Sequence, residues 1–404
     1  MNYQYSGNLV TEAEISLKGE WSLTLSSYKN KSGQKSYKIL LPASVTEKGF
    51  GDKNEKSEIY FLSEKCKYVG CVVFEKEINL SDIGNKSIIF YMERTRLTKV
   101  WVNGNYVGRQ DLLTTEQNYD ITEFVHEGKN QISVEVDNTY EMAPKDAILS
   151  SHMATEHTQT NWTGILGEIG IRINPGIYPS LIRIYPYAAL YKAGVRIDIY
   201  SHRYGNERVR ITVKQGNTFQ NEETAEEFTA ESGKNKFEME LDLDKRTPLW
   251  SEFDPAMTSL MVKIETSEGI IEKEIKYGLR DYQVSKDQKH VAVNGKNIFI
   301  RSETNCAVFP KTGYAPMDEE SWDALFDTYR SYGINYVRCH SWCPPDAAFR
   351  SADKKGLYIQ PELCEWTFHT FEDLNEYDYY AREAKAIIDL YGNHPSLVAL
   401  TWGN

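Results

Sequence analysis

The sequence has 404 residues, a formal charge of −12 and a pI near 5.3. Its 41% hydrophobic and 26% charged content is that of a folded globular chain, and at roughly 150 residues per domain it accommodates two or three domains. The acidic balance argues against binding nucleic acid or an anionic membrane through bulk charge, and no apolar run reaches the length of about 18 residues that would mark a membrane-spanning helix.

The first residues, Met1 to Gly7, carry no basic segment followed by an apolar one, so a cytoplasmic protein and a periplasmic or secreted protein whose signal has been removed both stay open. Six cysteines, Cys66, Cys71, Cys306, Cys339, Cys343 and Cys364, are too few for a disulfide scaffold. None is spaced Cys-x-x-Cys, so buried free thiols are expected and a zinc site is not. The 27 Tyr and 8 Trp suit stacking against sugar rings, but an all-β core uses the same residues.

Up to about residue 178 the chain is a series of short alternating runs bounded by Gly, Asn or Asp: Glu20–Leu25, Tyr68–Phe74, Ser87–Met92, Lys99–Val102 and Gln131–Val136. Asn103-Gly104 supplies the two positive-φ positions of a type I′ hairpin. The pattern predicts a β-sandwich. A Pro-rich joint, Asn174 to Pro179, leads to a second alternating stretch with strands at Val195–Tyr200, Val209–Val213 and Leu260–Ile264, and an acidic loop at Asn221–Glu227. About a hundred residues of this kind fit a small immunoglobulin-like sandwich.

After about residue 280 strands alternate with helices. Ile298–Arg301 reads as a strand. Asp318 reads as the N-cap of a helix whose apolar face is Trp322, Leu325, Phe326 and Tyr329, closed by Gly333. Asn335–Cys339 is the next strand, Pro344-Pro345 opens a second helix ending near Gly356, and Leu357–Gln360 is the third strand. A long amphipathic helix from Tyr377 to Tyr391 stops at Gly392, and Leu397–Trp402 reads as a fourth strand. Such a unit belongs to a doubly wound sheet or to a (β/α)8 barrel. Arg301-Ser302-Glu303-Thr304-Asn305 is not the glycine-rich turn of a dinucleotide fold. A barrel needs about 250 residues, so the chain reads as the leading part of something longer.

Polar residues gather at the C-terminal ends of these strands, where barrel enzymes keep their catalytic groups. They are Glu303 and Asn305, Arg338 and His340, Glu362 and Glu365, and Asn404, accompanied by Trp342, Trp366, Phe368 and Trp402. Carboxylates, an amide and aromatic walls suit a neutral polyhydroxylated ligand. Each also has a structural alternative: Arg301, Arg338 and Glu362 as ion-pair partners, His340 as a bonded structural histidine, Trp342 and Trp366 as core.

At these residues the sequence resembles glycoside hydrolase family 2, the β-galactosidase, β-glucuronidase and β-mannosidase group, over nearly its whole length. Thr98 to Gly108, containing Val100-Trp101-Val102-Asn103-Gly104, is similar to a family hairpin, and Tyr119-Asp120-Ile121-Thr122 and Val134-Glu135-Val136-Asp137-Asn138 to two further motifs. Asn161-Trp162-Thr163-Gly164-Ile165 resembles the loop closing the first domain, and Val293-Asn294-Gly295-Lys296 through Arg301 the opening of the barrel. Asn393-His394-Pro395-Ser396 through Trp402-Gly403-Asn404 resembles the family's acid/base motif.

The resemblance implies a jelly-roll-like sandwich over 1–178, an immunoglobulin-like sandwich over 179–280 and the first half of a (β/α)8 TIM barrel over 281–404. It implies an exo-acting retaining β-glycosidase that needs no cofactor, with a carbohydrate as its partner and self-association through an open sheet edge as a further expectation. The acid/base glutamate would follow Asn404 directly and the nucleophile would come from a later strand, so no catalytic residue is expected within the chain. Asn404, Trp402, His340, Arg338, Glu362, Glu303, Trp366 and Trp342 are the expected substrate-binding residues, Asn404 donating to the sugar 2-hydroxyl. Two departures stand out: Ser302 replaces the usual Gly, and His340 lies one place early. Trp366-Thr367-Phe368 replaces the magnesium-ligating Glu-x-His of β-galactosidases, so no metal is expected there. A non-catalytic carbohydrate-binding or scaffold protein is the alternative reading.

Overall fold

The computed structural model of the chain describes residues 13–55, 62–139, 147, 150–153, 160–202, 206–216, 223–366 and 374–404. The first unit packs two antiparallel sheets face to face. One has six strands, in the order Asn105–Gln110, Leu97–Val102, Gly128–Asp137, Cys71–Leu80, Gly19–Thr24 and Ser36–Leu41. The other runs Ala13–Ser16, Gly164–Pro175, Lys86–Thr95 and Gln117–Asp120, with Ala43–Ser44 also pairing to its second strand. Alternation puts one side of each strand inward, and Trp21, Phe74, Phe90, Val100, Val134 and Ile171 fill the space between the sheets. The hairpin at Asn103-Gly104 forms as expected, with both residues at positive φ (51° and 80°).

The second unit packs a three-stranded sheet (Ile177–Tyr187, Lys192–Ser201, Gly233–Asp242) on a four-stranded one (Glu223–Ala230, Glu207–Gln215, Thr258–Glu265, Ile270–Tyr277) around Ile197, Ile211, Val262 and Leu279. Two expectations change here. The joint at 174–179 is not a loop: the strands Gly164–Pro175 and Ile177–Tyr187 are separated by Gly176 alone. Pro179 is accommodated because its strand is a sheet edge and shifts register beside it. The acidic stretch is also not a loop from Glu223 onward, although Asn221 and Glu222 lie outside the described residues. Glu223, Glu226 and Glu227 sit on an edge strand, where outward charge deters pairing with another chain and Glu227 lies opposite Arg210.

The third unit is the one that alternates strand and helix. Three parallel strands, Ser302–Asn305, Tyr336–Cys339 and Tyr358–Pro361, are joined through α1 (Glu319–Ser331) and α2 (Asp346–Lys355), and α3 (Leu374–Tyr391) follows. The helix signals are realised. Asp318 accepts from the Ser321 amide at 2.8 Å, and Gly356 closes α2 in the left-handed conformation. The first parallel strand lies further along than expected. Ile298 ends a small antiparallel sheet (Tyr282–Val284, Val291–Val293, Lys296–Ile298), while Phe299 and Ile300 are exposed and the parallel strand is the polar Ser302–Asn305. The apolar run had hidden a change of sheet. The expected fourth strand is reduced to isolated parallel bridges, Ile359 to Leu397 and Glu362 to Thr401. Among the described residues no helix is long and apolar enough to cross a membrane.

Candidate functional site

Parallel pairing decides which side chains share a face. Thr304, Arg338 and Gln360 are register partners on one side of the sheet. Glu303, Val337 and Ile359 are partners on the other, where Val337 and Ile359 join the apolar core beneath the helices. Glu303 therefore stands on the helix side, away from Arg338, because a one-residue step along a strand reverses the direction of the side chain.

Arg338 organises the strand-end cluster. Its Nε donates to Glu362 Oε1 at 2.5 Å and its Nη2 to Asn404 Oδ1 at 2.7 Å. The second oxygen of Glu362 accepts the Ser341 amide at 2.9 Å. Ser341 can point that amide inward because its backbone is left-handed (φ 54°), a strained conformation for a side-chain-bearing residue. Glu362 is 1% exposed with both oxygens engaged, so it holds Arg338 and the Ser341 amide in place. Glu365 is buried beside it, accepting from the Tyr380 hydroxyl at 2.8 Å. Burial first, and then Glu365, pushes the Tyr380 phenol well above its usual range. Asn404 is tethered by its amide to Glu365 O at 3.1 Å, and a side chain at Gly403 would collide with that carbonyl.

The aromatic residues divide. Trp342 is 1% exposed, donates to Asn305 O at 2.8 Å and packs on Trp322 and Phe309, so it is core and lines no ligand surface. Trp366 is half-buried and meets His152 edge-on at 4.6 Å, with His340 at 6.0 Å. Trp402 is 42% exposed and stacks on Tyr377. Thr367 and Phe368 lie outside the described residues. Arg301 is exposed at the opposite end of the sheet and donates to Gly333 O.

Two residues of the site were missing from the reading of the sequence. His152 comes from the connection between Gly128–Asp137 and Gly164–Pro175, and its Nδ1 lies 2.7 Å from His340 O and 2.8 Å from His340 Nδ1. A nitrogen facing a carbonyl must carry the proton, so His152 donates and His340 Nδ1 accepts. Cys306, one residue past the first parallel strand, completes the group. Burial pushes its thiol up, Arg338 opposes, and Glu303 and Glu362 add to the rise. All six cysteines are free, and Cys306 and Cys71 are only half-buried. No motif marks His152; the position of Cys306 just beyond a strand end was the available signal.

Buried charge holds this connection in place. Arg94 donates to Cys343 O (2.9 Å) and Thr114 O (2.7 Å), and Arg96 to Trp162 O (2.8 Å) and Met153 O (3.0 Å), with its guanidinium over the Trp162 ring. The first sandwich thus sets the height of His152 over the parallel strands.

Residues 16–171 match the family model described as the sugar binding domain of glycosyl hydrolases family 2. A β-galactosidase of Pectobacterium atrosepticum is 23% identical over 325 residues, covering 76% of this chain and 30% of that protein. Among solved structures, a β-galacturonidase of Eisenbergiella tayi bound to galacturonate superposes with TM-score 0.78 at 14% identity, covering 100% of this chain and 67% of the other. A Bacteroides uniformis β-glucuronidase gives 0.76 at 16%, covering 98% and 47%. The first sandwich is thus similar to the sugar binding domain of glycosyl hydrolases family 2, and the curated proteins that match about three quarters of the chain include several β-galactosidases. The chain spans 30% of the length of the first β-galactosidase it matches.

Proposed function

We propose that the chain is the N-terminal portion of an exo-acting retaining β-glycosidase, β-galactosidase-like, that acts on the non-reducing ends of oligo- or polysaccharides. On this reading 1–178 is a jelly-roll domain, 179–280 an immunoglobulin-like domain and 281–404 the first half of a TIM barrel. The observation that carries it is the Arg338–Glu362–Asn404 array at the ends of the parallel strands. Arg338 occupies Asn404 Oδ1, which turns the amide Nδ2 outward as a donor. A donor to the sugar 2-hydroxyl strengthens as the anomeric carbon gains oxocarbenium character. Glu362, with both oxygens engaged, positions Arg338. The two reacting carboxyls, which a retaining mechanism needs about 5–5.5 Å apart, are assigned to the residue after Asn404 and to a later strand.

The test uses nitrophenyl β-glycosides and the whole reading frame containing these residues. Hydrolysis of the galactoside is expected, with the glucuronide and mannoside as comparison arms, and none by residues 1–404 alone. Asn404→Ala should lower kcat about 100-fold on the parent glycoside and far less on its 2-deoxy analogue, in line with a contact made mainly in the transition state. Saccharide binding by the whole protein with no hydrolysis of any β-glycoside would instead establish the non-catalytic alternative.

A further inference from the structure

We propose that His152, Cys306 and His340 form a binding site for a zinc-class divalent cation, which clasps the first sandwich to the strand-end loops of the third unit. One ligand atom from each residue lies within 4.8 Å of the others. The three come from the connection before Gly164, from the loop after the first parallel strand and from the loop after the second. A tetrahedral ion bound at about 2.0–2.1 Å by nitrogen and 2.3 Å by sulfur spaces its donors about 3.3–3.6 Å apart. Small side-chain rotations bring this group to that spacing.

The donor set selects the ion. Two imidazoles and a thiol, with no carboxylate among them, suit borderline-soft zinc and give magnesium or calcium no oxygen shell. His340 Nδ1, the acceptor of the histidine pair, already presents a lone pair to its neighbour. Trp366 packs against both imidazoles and shields one side of the group from water. Arg96, holding Met153 O, fixes the segment that carries His152 before any ion arrives. Three protein ligands leave a fourth position for water or a ligand hydroxyl. Binding displaces the thiol proton, so Cys306 joins as a thiolate and one proton is released, while His152 offers Nε2, or Nδ1 once its ring proton has moved to Nε2, with no further net release. Because His340 directly precedes Ser341, the ion also secures the left-handed turn whose amide holds Glu362.

This inference does not depend on the glycosidase reading, and its test does not use hydrolysis. The full 404-residue chain, reduced and stripped with a chelator, is titrated with Co²⁺ and then Zn²⁺. One equivalent of Co²⁺ is expected to produce thiolate-to-cobalt charge-transfer absorption with tetrahedral ligand-field bands. Zn²⁺ should displace it, and the melting midpoint should rise with Zn²⁺. Cys306→Ser should abolish the charge-transfer band. His152→Gln and His340→Gln should each weaken Co²⁺ binding tenfold or more, and Cys71→Ser, distant from the group, should change nothing. Absence of a saturable band in the parent chain would overturn the proposal, as would a band that survives in Cys306→Ser. The two histidine variants keep the test open if the serine variant does not fold.

Discussion

The third unit is held on two sides by different chemistry. Toward the first sandwich, the buried contacts include charges bonded to neutral groups, with an Arg382–Asp111 ion pair at the rim. Arg94 and Arg96 donate to backbone carbonyls, and Glu383 of α3 accepts from the Leu113 amide, the Thr114 hydroxyl and the Tyr379 hydroxyl. Toward the second sandwich, one short motif carries a dense group of contacts, beside those of Trp250 with Asp353 O (2.9 Å) and of Glu252 with Asn335. Asn393 accepts from the Ile184 amide (2.9 Å) and Arg183 (3.0 Å) and donates to Ile182 O (2.8 Å), extending the edge strand as a backbone amide would. His394 sits between Asp353 (2.6 Å) and Asp346 (3.0 Å), and Arg280 reaches Pro395 O and Leu397 O. Gly392 leaves room for the Arg183 guanidinium, which a side chain there would displace. The first interface is assembled from residues scattered along the chain, so removing one is expected to cost more. The second is densest in one nearly continuous stretch and distributes its contacts.

The largest effect expected from this contrast is at Arg94. Arg94→Ala strips the buried Cys343 carbonyl of its donor and leaves Thr114 O with Tyr391 alone, and it opens a void, so a loss of about 3–5 kcal/mol is expected in denaturant titration. Arg94→Lys should not restore stability, since a compact ammonium cannot reproduce the planar fork that spans both carbonyls. A loss below about 1 kcal/mol for the alanine variant would erase the distinction between the two interfaces. Asn393→Ala should cost less, about 2 kcal/mol, because the groups it strands are mostly neutral and lie beside a solvent-accessible edge.

This difference also explains how far the sequence could be read. The Asn393-His394-Pro395 stretch is legible as a motif because its parts are consecutive, although its contact with the second sandwich is not. The hairpin at Asn103-Gly104 and the caps at Asp318 and Gly356 were visible because local backbone rules dictate them. Arg338, Glu362 and Asn404 were found as strand-end residues, and the structure brings them within bonding distance. Glu303 was misplaced because the apolar Ile298–Ile300 run suggested the wrong strand limits, and a shift of register changes the face. His152 was invisible because its place is set by Arg96, which acts across more than fifty residues of chain through backbone carbonyls that any sequence possesses.

Glu383 gives a pH-dependent test of the charged interface. Burial raises its carboxyl above the ordinary range, against the bonds from Thr114, Leu113 and Tyr379. A raised carboxyl binds its proton more tightly in the folded state. Its destabilising effect is therefore absent below the usual carboxylate value of about 4.5 and grows as pH rises through the folded value. Glu383→Gln, which removes the titration and keeps an acceptor, should flatten the dependence of the unfolding midpoint on pH above about 4.5. An unchanged slope would mean that the charge is accommodated at no cost, and the first interface would then resemble the second.

The smallest expected effect lies at a local helix cap and serves as the reference for both interfaces. Asp318 caps α1 through its bond to the Ser321 amide, and Glu319 and Glu320 follow in the first turn, where the helix dipole favours negative charge. Asp318→Ala should cost about 1 kcal/mol, the usual value of an N-cap, and Asp318→Asn or Asp318→Ser should recover most of it. Among the described residues Asp318 shares no hydrogen bond with Arg94 or its partners, so combining Asp318→Ala with Arg94→Ala should give additive losses. Strong coupling between them would show that α1 and the Arg94 contacts form one cooperative unit, with the first sandwich bracing the helix layer as well as the loop that carries His152.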